Sequence, residues 1–153
     1  MKITHFAPVL LSASLLVTAV GTSWVSADPL SQSQQIAQNA ASTQTLRSGS
    51  FVTVEQDHPT TGQAKIISQN GKKYLELDRA FTTAKGPDVE ILLYRGNALP
   101  IKLAEKDYLT LAKLQKFNGV QRYEIPANVD LNDFKAVGIW CKKFNVTFGY
   151  AAL

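Results

Sequence analysis

The pair Asn70-Gly71, set between AKIISQ and KKYLELD, narrows the available folds more than any other feature of the sequence. Asn-Gly favours the positive φ values of a type I′ turn. The flanking runs are rich in strand formers, so the stretch predicts a tight β-hairpin. SFVTVEQ (50–56) alternates, with Phe51 and residues 53 and 55 on one face and Val52, Val54 and Gln56 on the other. DVEILLYR and QRYEIP are further β-rich runs, bounded by Gly-Pro, Asn-Gly and Pro. YLTLAKLQKF is the one segment a helix could claim, and its Leu109, Leu111 and Leu114 suit a strand and then a turn equally well. No long helix-period segment and no crossover helix stands between the strands, which argues against a parallel sheet. The expected fold is all-β, an antiparallel β-sandwich or barrel-like fold of roughly 8–10 short strands.

FKAVGIWC and FNVTFGY are the last two strands, and Lys142-Lys143 between them predicts a second tight hairpin. Alternation puts Val137, Ile139 and Cys141 on one face, and Phe134, Ala136, Gly138 and Trp140 on the other. Both faces are apolar, so this strand should be covered on both sides or packed at a barrel rim. Phe144, Val146, Phe148 and Tyr150 should form one continuous stripe beside it. Cys141, the chain's one cysteine, is therefore expected to be at least partly shielded.

The N-terminus points to export. Lys2 is followed by no charged residue until Asp28, and the apolar PVLLSASLLVTAVG leads to Val25-Ser26-Ala27, the small-x-small form of a signal-peptidase site. Residues 1–27 are expected to be a cleaved signal peptide, giving a periplasmic or secreted protein with no stable membrane insertion. The alternative is a retained N-terminal anchor, because the uncharged stretch approaches the roughly 20 residues that span a bilayer. Residues 28–46, rich in Ser, Gln and Ala, bury too little to offset their ordering entropy and are expected to be a flexible tether. The β domain should occupy 47–153. The net charge is +4, and acids and bases are interspersed without long runs. This is the pattern of a solvated surface and gives no support for nucleic-acid binding.

Several stretches together resemble the DM13 domain family over about residues 47–151. They are SGSF (48–51), HPTTGQAKI (58–66), NGKKYLEL (70–77), FTTAKGPDVEILL (81–93), YEIP (123–126) and AVGIWCKKFNVTFGYA (136–151). The resemblance implies a β-rich extracellular domain of the kind found beside DOMON and cytochrome b561 modules. It also implies that Cys141 matches the family's characteristic cysteine, proposed to serve electron transfer as a free thiol or through an attached group. The sequence departs from that setting in carrying no haem-binding or transmembrane partner domain.

Read from the residues themselves, Cys141 is either a redox thiol or a small buried hydrophobe. Lys142 and Lys143 follow it directly, and a nearby cation would favour the thiolate. Strand geometry nevertheless turns Lys142 to the opposite face, and Lys143 shares the thiol's face only if the turn has not begun. His58, the one histidine beyond the signal segment, precedes Pro59 in a loop; it could support Cys141 or simply pack a turn. Asp88 follows a Gly-Pro turn and could orient His58 or bind a cation, though capping that turn is the more ordinary role. Trp140 adjoins the thiol and would shield it.

Beyond the expected signal segment, one His, one Cys and no Met cannot furnish a blue-copper centre, and neither a C-x-x-C-H haem segment nor a zinc ligand set occurs. No metal and no intrinsic cofactor is expected, which leaves a group attached covalently at Cys141. No Gly-x-Ser-x-Gly elbow is present, and a Cys-His hydrolase would rest on Cys141 and His58 alone, so an enzyme is the weaker expectation. The Asn145-Val-Thr147 sequon falls inside a predicted core hairpin and is discounted. Two functions remain. One is an exported electron-transfer domain acting through Cys141 on a redox or surface protein partner. The other is a small β-sandwich binding or adaptor module with Cys141 in its core.

Overall fold

The computed structural model describes residues 42–153. The expected signal segment and residues 28–41 of the expected tether lie outside them. Eight strands follow in order: β1 (Gln44–Thr53), β2 (Gln63–Gln69), β3 (Lys72–Leu77), β4 (Val89–Tyr94), β5 (Tyr108–Lys113), β6 (Gln121–Ile125), β7 (Ala136–Cys141) and β8 (Val146–Ala152). Every pairing is antiparallel, in one sheet of order β5-β4-β7-β8-β1-β2-β3-β6.

That sheet curls into a nearly closed barrel, so its two outer strands, β5 and β6, approach each other. Side chains bridge the seam between them. Gln121 is buried; its Oε1 accepts from Lys116 N at 3.0 Å, and its Nε2 donates to Lys116 O at 2.7 Å. Tyr123 Oη accepts from Gln115 N at 3.0 Å and donates to Gln121 Oε1 at 2.7 Å. Backbone groups that a closed ladder would satisfy are thus met by an amide and a phenol.

The barrel is filled by one apolar cluster drawn from its strands. Ile66, Leu75, Leu77, Ile91, Leu93, Val137 and Ile139 are fully enclosed within it. The Asn70-Gly71 turn forms as predicted, with φ of 52° and 75°. YLTLAK is strand, not helix.

β1 begins earlier than the composition suggests. Gln44, Thr45 and Leu46 stood in the expected tether, yet Gln44 pairs with Ser68 and Thr45 with Ile67. Pairing there runs through the backbone and needs no apolar side chain; Leu46 is the bulged residue, 40 % exposed. Arg47 fastens the strand. Its Nη1 donates to Leu131 O and Phe134 O, each at 2.9 Å. β1 also stops short of the expected 50–56 run, ending at Thr53, and by then it has exchanged β2 for β8 as partner.

The β7–β8 connection is looser than a tight hairpin. Lys142–Phe144 form a turn of 3₁₀ helix, and Asn145 follows with φ 50°. A second bulge changes the facing of β8. Ile139 pairs with Gly149 and Trp140 with Thr147, which leaves Phe148 as the extra residue. The expected aromatic stripe is therefore divided. Phe148 packs in the main core, Tyr150 packs against a cluster on the barrel's outer face, and Phe144 is 57 % exposed. Phe134, which precedes the strand, also joins the main core and not the Trp140 face.

β7 is buried at all six positions, as its two apolar faces require. Its inner face meets the barrel core. Its outer face is covered by the segment 95–104 between β4 and β5, through Leu99 and Leu103. Gly138 permits that cover, since a Cβ there would lie 2.4 Å from Leu99 Cδ2.

Candidate functional site

Cys141 ends β7, paired with Val89 of β4 on one side and Val146 of β8 on the other. It is 1 % exposed and belongs to the main core. The segment 83–88 closes this end of the barrel. Ala84 packs on the core, and Gly86 comes so close that a Cβ would stand 2.8 Å from Val89 Cγ2 and 3.3 Å from Phe148 Cζ. Asp88 O accepts from Lys142 N at 2.9 Å, joining that segment to the turn after the thiol.

The two lysines that follow the thiol each have a neighbour of their own. Lys142 Nζ lies 3.6 Å from Glu90 Oε1. Glu90 pairs in register with Trp140, so this contact belongs to the outer face, as strand alternation predicts. Glu90 is itself buried, and its Oε2 accepts from Thr110 Oγ1 at 3.1 Å. Lys143 is part of the 3₁₀ turn, with Nζ 5.7 Å from the centroid of the Phe144 ring. The two ammonium groups thus take Glu90 and the Phe144 ring as their neighbours.

His58 and Asp88 do not form a pair. The His58 ring stacks on Phe148, with centroids 4.4 Å apart and planes at 11°, and its Nδ1 bonds to Glu55 Oε2. That bond to His58 holds the Glu55 carboxyl below its ordinary range. Asp88 Oδ1 instead lies 3.3 Å from Lys113 Nζ. Of the predicted supporting residues, His58 touches the same core ring that lies under Gly86, so it contributes to the closure of the thiol end from outside.

Trp140 faces outward and anchors the covering segment. Its Nε1 donates to Asn145 Oδ1 at 3.0 Å, and its ring lies 5.1 Å from that of Tyr108, tilted by 50°. Burial beside these rings raises the Tyr108 hydroxyl above its ordinary value.

The residue that composition did not reveal is Asn145. Its Oδ1 also accepts from Leu103 N at 2.9 Å, and its Nδ2 donates to Leu103 O at 3.1 Å. Thr147, fully buried, donates from Oγ1 to Pro100 O at 2.8 Å, and its N–H donates to Ile101 O at the same distance. Asn145 and Thr147 together dock 100–103 on the barrel beside the turn that follows Cys141. An asparagine after a KKF turn is a signal for left-handed backbone, because Asn tolerates positive φ. Read only as a sequon, it concealed this role; Nδ2 is engaged with Leu103 in the fold.

Asn145→Gly retains the backbone freedom and removes all three side-chain bonds. Buried donors and acceptors left unpaired cost about 1–3 kcal/mol each, and solvent can reach part of this site, so a total loss near the lower end of that range is expected. Denaturant melts at matched pH check it. An unchanged midpoint would mean that the covering segment is held by Leu99 and Leu103 alone.

Residues 50–153 match the sequence profile of the family described as "Electron transfer DM13". No curated protein and no solved structure matches the chain.

Proposed function

The chain belongs to the DM13 family, and on that premise we propose that it is an exported electron-transfer domain whose working group is the Cys141 thiol. The observation that carries this reading is positional. The only sulfur of the described domain terminates β7, a strand paired on both sides and buried throughout, at the end where the 83–88 segment packs. A single cysteine cannot form an internal disulfide, so its two-electron chemistry needs a second sulfur from outside. The Cys141 thiolate would attack one sulfur of a partner's disulfide. The new S–S bond joins the two proteins, and the partner's other sulfur leaves as a thiolate. The proton lost from Cys141 goes to solvent. A dithiol on a second, donor protein then attacks the Cys141 sulfur and releases the first partner as a dithiol; the donor's other thiol displaces Cys141, so two electrons pass from donor to partner, the donor is left as a disulfide and the domain returns reduced. A group attached at the same sulfur would instead carry the electrons itself.

Such a thiol must be gated, because burial at 1 % exposure blocks in-line attack in the closed barrel. The segment 83–88 is the element that would move. Hydrogen bonds hold it at its two ends, Thr83 N donating to Phe117 O and Lys142 N to Asp88 O, each at 2.9 Å, and local opening costs less than global unfolding. Signal cleavage before Asp28 is part of the same proposal and predicts an exported protein whose intact mass lacks residues 1–27.

The burial of Cys141 also favours a second reading, a small binding or adaptor module in which the cysteine only packs. One comparison separates them. The wild-type protein, held with a disulfide-bearing partner in its native compartment, should yield a covalent complex that reductant dissolves. Cys141→Ser should fold equally well and yield none. A serine variant that is destabilised, with no wild-type complex formed, assigns Cys141 to the core.

A further inference from the structure

Two exposed apolar side chains stand at the thiol end of the barrel, Phe144 at 57 % and Ile101 at 49 % exposure. They lie on neighbouring segments, since Lys102 Nζ donates to Phe144 O at 3.2 Å and Ile101 O accepts from Thr147 N at 2.8 Å. Lys102, Lys142 and Lys143 adjoin them and are exposed. Asn145 and Thr147 hold both segments in place, so the apolar pair is presented on a fixed base. The chain enters the domain at the other end. Gln44 pairs with Ser68 beside the Asn70-Gly71 turn, whereas Thr53, at the far end of β1, pairs with Gly149 toward Cys141.

We propose that the Ile101–Phe144 corner docks a partner protein that presents an apolar contact ringed by carboxylates. A small apolar centre with a charged rim suits the brief, low-area encounters of redox proteins, in which charge steers approach and sets orientation. Two side chains are too little apolar area for lasting insertion into lipid, which makes a bilayer the weaker occupant. The inference rests on the electron-transfer reading for the partner's purpose, and on the surface alone for its chemistry. Phe144 follows Cys141 by three residues, so a partner seated here adjoins the end at which the thiol would open.

The test is an amide-shift titration of the exported protein with a synthetic peptide of alternating Glu and Leu, repeated with phosphatidylglycerol vesicles. Peptide-induced shifts should concentrate at residues 100–103 and 142–146 and weaken as salt is added. Phe144→Ser and the double variant Lys102→Glu/Lys143→Glu should each lower peptide affinity about tenfold, as truncation of a central contact or reversal of its rim charge would. Val120→Ser, at an exposed apolar residue elsewhere, should change nothing. Cys141→Ser should bind the peptide as the wild type does, so docking and thiol chemistry fail or survive separately. Shifts centred elsewhere, unaltered affinity in Phe144→Ser, or a response to vesicles without one to peptide would overturn the proposal.

Discussion

Phe148→Ala is expected to destabilise the domain by about 3–5 kcal/mol, the usual cost of removing a buried phenyl ring. The ring is 2 % exposed and fills the end of the barrel core that Cys141 shares. Several groups depend on it at once. Gly86 approaches its Cζ, and His58 stacks on its face under the hold of Glu55. The bulge in β8 exists at this residue, and it places Phe148 and the following Gly149 on the same inner side. Neighbours fixed by the ladder cannot collapse into the void, which puts the effect in the upper part of the range. A denaturant melt of the variant decides; a loss below about 1 kcal/mol would place the ring at the surface. Phe148→Leu, which keeps much of the volume, should recover most of the stability.

Gly49→Ala should be at least as damaging, for a reason of geometry and not of burial. β1 passes from β2 to β8 at this point: Gly49 pairs with Ala64, and Phe51 already pairs with Ala151. The end of β8 lies so close that an added Cβ would stand 1.7 Å from Ala152 O. The obstacle is backbone, which no rotamer change relieves. Overpacking usually costs about 1–3 kcal/mol, and a main-chain collision inside the only β1–β8 junction among the described residues should exceed that. The expected result is a variant that is largely unfolded or recovered insoluble, read by far-UV circular dichroism. A native spectrum and an unchanged melting midpoint would show that β1 and β8 can part here without loss.

The sequence made the strands of the middle and C-terminal domain legible because their side chains carry the pattern. Asn70-Gly71 announced its turn, and β7 announced its two covered faces through AVGIWC. What escaped lies where backbone or single polar groups decide. Gln44 and Thr45 pair through main chain, so polar composition disguised them as tether. The division of the Phe148–Tyr150 stripe follows from one extra residue in β8, and a bulge leaves no mark in simple alternation. The candidate site was located in part. Cys141 lies inside as expected and Lys142 turns away as expected, while His58 and Asp88 find other partners, Glu55 and Lys113. Asn145 was visible only as half of a sequon, because its reach to Leu103 and Trp140 depends on a contact across forty-two positions of chain and a five-residue turn.

The central claim is that Cys141 becomes reachable by local opening of a folded barrel. Alkylation of the native protein with iodoacetamide, followed by mass across a series of sub-denaturing urea concentrations, tests it most directly. Local opening exposes little surface, so the rate should be slow but measurable in buffer and nearly independent of urea until the unfolding transition begins. The rate should also rise when Gly86→Ala disturbs the 83–88 closure against Val89 and Phe148. A rate whose logarithm climbs with urea from the outset, at the slope of global unfolding, would mean that the thiol reacts only in the unfolded chain, and would contradict the account.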